Sequence, residues 1–375
     1  MQTPERMHRV ACVGAGRIAQ VHLRYARQNA GARLVAICDT DRARAEQLAA
    51  AHQIPQVFTD LEEMMRATEP SIVHVVTPPS THARLAIAAM ERGANVLVEK
   101  PMAMSVAECD RMLETARRFG RRICVDHNRL FDPVILRARA YVDSGRIGDV
   151  VSVEVHQGVN PVELGGTAAN GQQHWSVEDP FAPLFNLAPH PLYLMRAFCG
   201  GVRRSEVMGR RPEPGQAVAG EIRMLVEGVD AFGYLCFSMG TQPYLNHLNV
   251  FGTRATLRIN LNTMTMLVER VRRLPKLVAK TLINLEQAQQ LVSATVSTTF
   301  QVATRRMKLY PGIGETIRRF YRSLAEGAPP PVDGLAGRDV VEMLEDITHR
   351  LGGPASLSAT TNGAAFDMGS VRWTS

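Results

Sequence analysis

Lysine is nearly missing from this sequence: Lys100, Lys276, Lys280 and Lys308 stand against 39 arginines. Arginine serves most surface roles but cannot exchange a proton near neutral pH, so the one lysine in the first 275 residues, Lys100, draws attention. Its plainer reading is a strand-end ammonium pointing into water. Paired cysteines are also lacking: six are present, at 12, 38, 109, 124, 199 and 236, with no C-x-x-C spacing and several inside apolar runs. We expect reduced core thiols and neither disulfide staples nor a metal centre. No window reaches the roughly 18 uninterrupted apolar residues of a membrane span. The N-terminal stretch Met1 to Arg9 lacks the apolar core of a signal peptide, and a strand starts directly after it, so we expect a cytoplasmic protein.

What is present fits a soluble globular protein of two domains: 375 residues, 45% apolar and 21% charged. The net charge is +7 and the pI about 9.3, but arginines fall in scattered pairs such as Arg117-Arg118 and Arg318-Arg319. No nucleic-acid motif accompanies them, so nucleic acid is excluded as a partner and a mild attraction for anionic substrates is the economical inference.

Arg9 to Val13 forms a short apolar run that ends in Gly14-Ala15-Gly16-Arg17-Ile18-Ala19, followed by apolar helical spacing through Tyr25. That order is strand, tight turn, helix. The first glycine supplies the bend, the second admits a diphosphate to the main chain, and a small third residue packs helix on strand. Arg17 and Ile18 then offer unpaired N–H groups at a positive helix end. The next strand, Leu34 to Cys38, leads to Asp39, 23 positions after Gly16. A carboxylate there accepts ribose hydroxyls and repels a 2′-phosphate, which favours NAD over NADP. Arg42 and Arg44 keep the phosphorylated cofactor open.

The pattern repeats. Ile72 to Val76 is a strand closed by Thr77-Pro78-Pro79, and Thr81-His82 opens a helix through Met90. Asn95 to Val98 is the next strand, Ser105 caps a helix through Arg118, and Ile123 to Val125 is another strand. Short links between alternating strands and helices predict a doubly wound parallel sheet over residues 1–148. Ligands bind at the carboxyl ends of such strands, where Gly14, Asp39, Thr77, Pro78, Glu99, Lys100 and Asn128 fall. His82 lies near that edge, either touching cofactor or simply exposed at a helix start.

Taken together, the glycine turn, Thr77-Pro78-Pro79-Ser80-Thr81-His82, Glu99-Lys100-Pro101 and Asn128-Arg129 with Phe131-Asp132-Pro133 resemble the Gfo/Idh/MocA family of sugar and cyclitol oxidoreductases. Glu99-Lys100-Pro101 is the most specific part. The resemblance implies that Lys100 lies beside the nicotinamide and the reacting hydroxyl, with Pro101 a candidate cis residue. It also implies that Asn128 and Arg129 border cofactor and substrate.

Residues 149–375 read differently. Val150 to His156 partly alternates, and Glu221 to Val226, Ala231 to Ser238, Leu245 to Phe251 and Ala255 to Ile259 follow, which predicts an open, mostly antiparallel sheet packed on helices. In the family such a face is commonly covered by another subunit, so we expect a homodimer or homotetramer. Between the first strands lies Asn186-Leu187-Ala188-Pro189-His190-Pro191-Leu192-Tyr193. Positions 186 and 190 share a helix face, although the prolines weaken the helix reading. The family pattern has Asp-x-x-x-His here, so Asn186 replaces an acid and His190 is kept. An amide cannot ionise; it can orient a ring or bond a substrate hydroxyl. Hydride transfer from an alcohol needs a base for the hydroxyl proton, and His190 and Lys100 are the candidates. A histidine between prolines is otherwise an ordinary packed residue. Tyr193 is an ordinary core tyrosine or, if it faces the cleft, a further substrate contact, and Trp175 is a candidate wall for a sugar ring.

Residues 263–308 form a helical insertion. Leu267, Val268, Val271 and Leu274 read as a short helix, and apolar helical spacing resumes after Pro275. Arg270, Arg272, Arg273, Lys276 and Lys280 crowd its start. Core or oligomer packing is favoured over contact with an anionic membrane. Ile317 to Leu324 and Val340 to Ile347 are the last helices, with a polar tail from Ala355. The reading is an enzyme moving hydride between NAD and a secondary alcohol or ketone of a sugar, cyclitol or nucleotide-linked sugar. Its rivals are an NAD-recycling lyase, epimerase or glycosidase on the same scaffold, and a non-catalytic cofactor-binding or membrane-associated protein.

Overall fold

A computed structural model describes residues 7–159, 181–210, 220–271, 275–304 and 310–353. The first sheet is built from β1 (His8–Val13), β2 (Ala32–Cys38), β3 (Gln56–Phe58), β4 (Ile72–Val75), β5 (Asn95–Val98) and β6 (Ile123–Val125), in the spatial order β3-β2-β1-β4-β5-β6. All neighbours are parallel. The order reverses at β1, which opens a crevice between the carboxyl ends of β1 and β4. The linking helices are α1 (Arg17–Arg27), α2 (Arg42–His52), α3 (Leu61–Thr68), α4 (His82–Glu91) and α5 (Val106–Phe119), followed by α6 (Pro133–Asp143). Every residue of β4 is buried, as expected of a strand covered on both faces.

The second sheet comprises β7 (Val150–Gly158), β8 (Val202–Gly209), β9 (Glu221–Gly228), β10 (Phe232–Ser238), β11 (Leu245–Gly252), β12 (Ala255–Asn260) and β13 (Thr265–Arg270). Its order is β13-β12-β11-β7-β10-β9-β8, antiparallel except for the pairing of β7 with β10. One face alternates buried residues such as Ile222, Met224 and Val226 in β9. That face packs on α7 (Ala182–Leu187), α8 (Pro189–Cys199) and part of α11 (Gly334–Arg350). The long α9 (Lys276–Ala303) runs beside β13.

One local expectation fails. Leu267 and Val268 are strand, in β13, and Val271 follows in the link beyond it; Leu274 lies outside the described residues. Thr265 to Arg270 pairs residue for residue with β12, so ladder bonding overrides a short apolar spacing that helix and strand share. Residues 311–325 pack away from the second sheet, while part of α11 returns to it. Ile313, Ile317, Phe320 and Tyr321 of α10 (Pro311–Ala325) pack among Val10, Leu23 and Leu97, and the Val332 carbonyl accepts from the Val125 N–H at the end of β6. The core of the first sheet is thus completed from the last quarter of the chain.

Candidate active site

The turn after β1 carries the geometry its glycines predict. Gly14 has φ +106°, and a Cβ there would sit 2.8 Å from the Val76 carbonyl oxygen. Gly16 is the extended residue before α1, and a Cβ there would meet nothing within 4 Å. α2, α3, α5 and α11 have their first N–H groups bound by the side chains of Asp41, Asp60, Ser105 and Asp333, whereas α1 has no side-chain cap. Its free N–H groups, including those of the Arg17 and Ile18 turn, suit a diphosphate. The Asp39 carboxylate accepts from Ala15 N–H at 2.6 Å and Asp41 N–H at 2.8 Å, which ties β2 to the turn. Arg42 pairs along α2 with Glu46 at 2.8 Å, and Arg44 with Asp41 at 2.8 Å. Open approach at Gly16, the uncapped helix and the acid at Asp39 together fit a dinucleotide.

Thr77 is half-buried and Pro78 exposed at the same edge. His82 is not on that surface. It is fully buried, with Nδ1 2.9 Å from the Pro101 carbonyl and Nε2 2.8 Å from the Thr77 carbonyl. Burial lowers its pKa, so at neutral pH one N–H binds one of the two carbonyls. His82 therefore lies buried between the two strand-end loops and is not exposed at a helix start.

Lys100 begins the loop after β5, and its peptide bond to Pro101 is cis. Its ammonium donates to the Asn186 carbonyl at 2.6 Å and to the Asn186 Oδ1 at 3.2 Å. Burial lowers its pKa, with Glu99 opposing and Arg129 adding to the shift. Beneath it lies a buried ionic cluster. His22 Nε2 is 3.1 Å from Glu99 Oε1 and 3.4 Å from Asp126 Oδ2, and the other Glu99 oxygen accepts from the Lys100 N–H at 3.0 Å. Burial works against the His22 charge, but Asp126 and Glu99 outweigh it and raise the imidazole to about 9. His22 Nδ1 then donates to His74 Nδ1 at 3.3 Å, and His74 Nε2 meets the Tyr321 hydroxyl at 2.8 Å. Burial holds His74 well below its ordinary pKa, as that chain of donors requires. His22, Glu99 and Asp126 have the composition of metal ligands, with donor atoms within 4.8 Å of one another. The raised imidazole and its two carboxylate neighbours form a buried ion pair.

The other wall comes from α7 and α8. Pro189 and Pro191 are both tolerated because they occupy the first turn of α8, whose amides need no intrahelical acceptor. His190 Nδ1 is 2.7 Å from the Tyr193 hydroxyl, which also accepts the Arg129 N–H at 3.1 Å and lies 3.4 Å from Asn128 Oδ1. The arrangement that satisfies every group has His190 Nδ1–H donating to Tyr193 and Tyr193 donating to Asn128, which leaves the Nε2 lone pair of His190 free. Burial, with Lys100, Arg129 and His127 nearby, pushes the His190 pKa well below normal.

Lys100, Asn186, His190, Asn128 and Arg129 thus surround one cleft, all partly exposed. Asn186 hydrogen-bonds Lys100, and Tyr193, only 2% exposed, hydrogen-bonds the His190 ring. Trp175 lies outside the described residues. Sequence reading passed over His22, Asp126 and His127. His127 stacks on Tyr193 with ring centroids 4.4 Å apart. The available signal was position: Asp126 and His127 directly follow β6, and His22 is two turns into the helix after the glycines.

The cleft has the layout of a nucleotide-dependent oxidoreductase. The chain belongs to the Gfo/Idh/MocA family: residues 8–127 match the "Oxidoreductase family, NAD-binding Rossmann fold" and residues 135–258 the "GFO/IDH/MocA C-terminal domain". The D-glucoside 3-dehydrogenase of Escherichia coli K12 is 33% identical over 143 residues, 38% of this chain and 41% of that protein. The scyllo-inositol 2-dehydrogenase (NAD(+)) of Bacillus subtilis 168 is 32% identical over 164 residues, 43% of this chain and 48% of that one. The match thus spans less than half of either relative. The crystal structure of the WlbA dehydrogenase from Bordetella pertussis in complex with NADH and UDP-GlcNAcA superposes with a TM-score of 0.74 over 93% of this chain and 97% of that one, at 21% identity. That likeness speaks for the fold.

Proposed function

We propose that the protein is an NAD-dependent dehydrogenase or reductase acting on a secondary alcohol or ketone of a sugar, cyclitol or nucleotide-linked sugar. The observation that carries the reading is the meeting of Lys100, from the first sheet, with Asn186 one helical turn before His190, from the second. The bound dinucleotide supplies the hydride acceptor or donor. Gly14, Gly16, Arg17 and Ile18 hold its diphosphate, Asp39 its adenosine ribose, and Thr77, Pro78 and Asn128 border the nicotinamide side.

Lys100 donates to the reacting oxygen and stabilises negative charge on it. His190 takes the hydroxyl proton on Nε2, and its depressed pKa keeps that nitrogen unprotonated in the working range. Tyr193 keeps the opposite nitrogen protonated, and Asn186 aims the ammonium without adding charge. Arg129, beside the Tyr244 hydroxyl at 3.5 Å, offers a cation for an anionic substituent. Asp39 and the engagement of Arg42 with Glu46 and of Arg44 with Asp41 favour NAD over NADP. Met208, Leu225 and Phe232 are 77%, 60% and 66% exposed on β8, β9 and β10, which supports a homodimer or homotetramer.

The test is a screen of sugars, cyclitols and nucleotide-linked sugars with NAD+ and with NADP+, read at the reduced-nicotinamide band. Net NADH from at least one, with NADP+ at least about tenfold poorer, is expected. Tight dinucleotide binding with turnover but no net NADH would replace the reading with a cofactor-recycling reaction.

A further inference from the structure

We propose that the outer face of α9 lies on an anionic lipid surface. The helix is amphipathic the wrong way round for a monomer. Its sheet-facing side is polar: the Gln290 carboxamide accepts from the Val268 N–H at 2.7 Å and donates to the Val268 carbonyl at 3.1 Å, taking the edge of β13 as a further strand would. Gln287 adds a bond to Glu269 at 2.8 Å. Val278, Leu282, Leu285, Val292, Val296 and Phe300 instead form an exposed stripe, each between 38% and 64% accessible. Their spacings of three, four and seven keep them on one helix face.

Charge selects the occupant. Residues 270–308 contain eight Lys or Arg and one acid, Glu286, a surplus of seven that equals the net charge of the whole chain. In sequence the basic residues flank residues 281–304 on both sides, Arg270 to Lys280 before and Arg305 to Lys308 after, while 281–304 carries Glu286 alone. A long, nearly uncharged apolar stripe between two cationic ends matches the boundary between acyl chains and anionic headgroups. Two copies paired along the same stripe would bring basic ends together in either orientation, with too few acids to balance them. Among the described residues no helix is long and apolar enough to cross a membrane, so α9 lies in the surface. This inference is independent of the proposed reaction.

The test sediments the full chain with phosphatidylcholine vesicles and with vesicles rich in phosphatidylglycerol. The protein should pellet with the anionic vesicles, stay in solution with the neutral ones, and be released by high salt. Leu285→Glu with Val292→Glu should weaken partitioning by at least about tenfold, as should Lys276→Glu with Lys280→Glu, with circular dichroism and gel-filtration volume unchanged. Wild-type protein that stays in solution with anionic vesicles would overturn the proposal. So would an apolar-stripe variant that still pellets while its gel-filtration mass falls, because the stripe would then be a contact between copies of this chain.

Discussion

Lys100 and His190 enter the cleft from opposite halves, and the groups behind them differ in kind. Behind Lys100 the support is ionic and deep: an imidazolium at His22 held between Glu99 and Asp126, with His74 and Tyr321 continuing the chain of hydrogen bonds. Behind His190 it is neutral: a phenol, an amide and a main-chain N–H. The ionic cluster is joined to the Lys100 loop through Glu99, which accepts the Lys100 N–H. The neutral support leaves the histidine as an uncharged acceptor, with the nearby cations of Lys100 and Arg129 reinforcing what burial does.

The comparison breaks most sharply at its two endpoints. Lys100→Met should lower turnover by about 10³-fold or more while NAD binding, read by fluorescence titration, stays within a few-fold. Unchanged turnover would remove Lys100 from the mechanism. His190→Asn should cost about 10²- to 10⁴-fold in turnover, with the acid limb of the pH profile lost. Tyr193→Phe tests the neutral support: turnover should fall about tenfold, and thermal unfolding should show a loss of about 1 kcal/mol from the missing hydroxyl. A profile identical to wild type would mean that His190 is oriented by packing alone.

Asn186→Asp sharpens the comparison by making the neutral wall charged. An added carboxylate raises the pKa of both Lys100 and His190, so both limbs of the kcat/KM profile should move to higher pH. The smallest effect concerns the ionic foundation. His22, raised to about 9 in the folded protein from 6.5, contributes stability that is full below pH 6.5 and lost as pH rises through about 9. His22→Gln should abolish that slope, which for one proton is at most about 1.4 kcal/mol per pH unit, in denaturant unfolding series across the window.

Much of the first sheet could be read directly. Apolar runs, Gly14, Gly16, Asp39 and Lys100 depend on local spacing, and local spacing is written in order along the chain. The short β3 and the exposed β8 escaped, because three residues or a largely exposed strand carry no strong alternation. β13 was mistaken for helix because Leu267, Val268 and Val271 satisfy both periods until a partner strand is present. Of the cleft, Lys100, Asn186, His190 and Asn128 were identified as candidates, but the pairing of Asn186 with Lys100 joins residues 86 positions apart and no local pattern records it. The burial of His82 escaped for the same reason: its partners belong to two different loops.

The sequence by itself determined the glycine bend, the acid after β2, the lysine at the end of β5 and the histidine among prolines, since each follows from backbone conformation or side-chain chemistry at a fixed offset. Only the tertiary structure decided which of these groups meet, that the His190 ring bonds Tyr193 while Asn186 bonds Lys100, and that His22 lies between two acids. Hydrogen bonds and burial depend on distances between chain segments, and folding sets those distances.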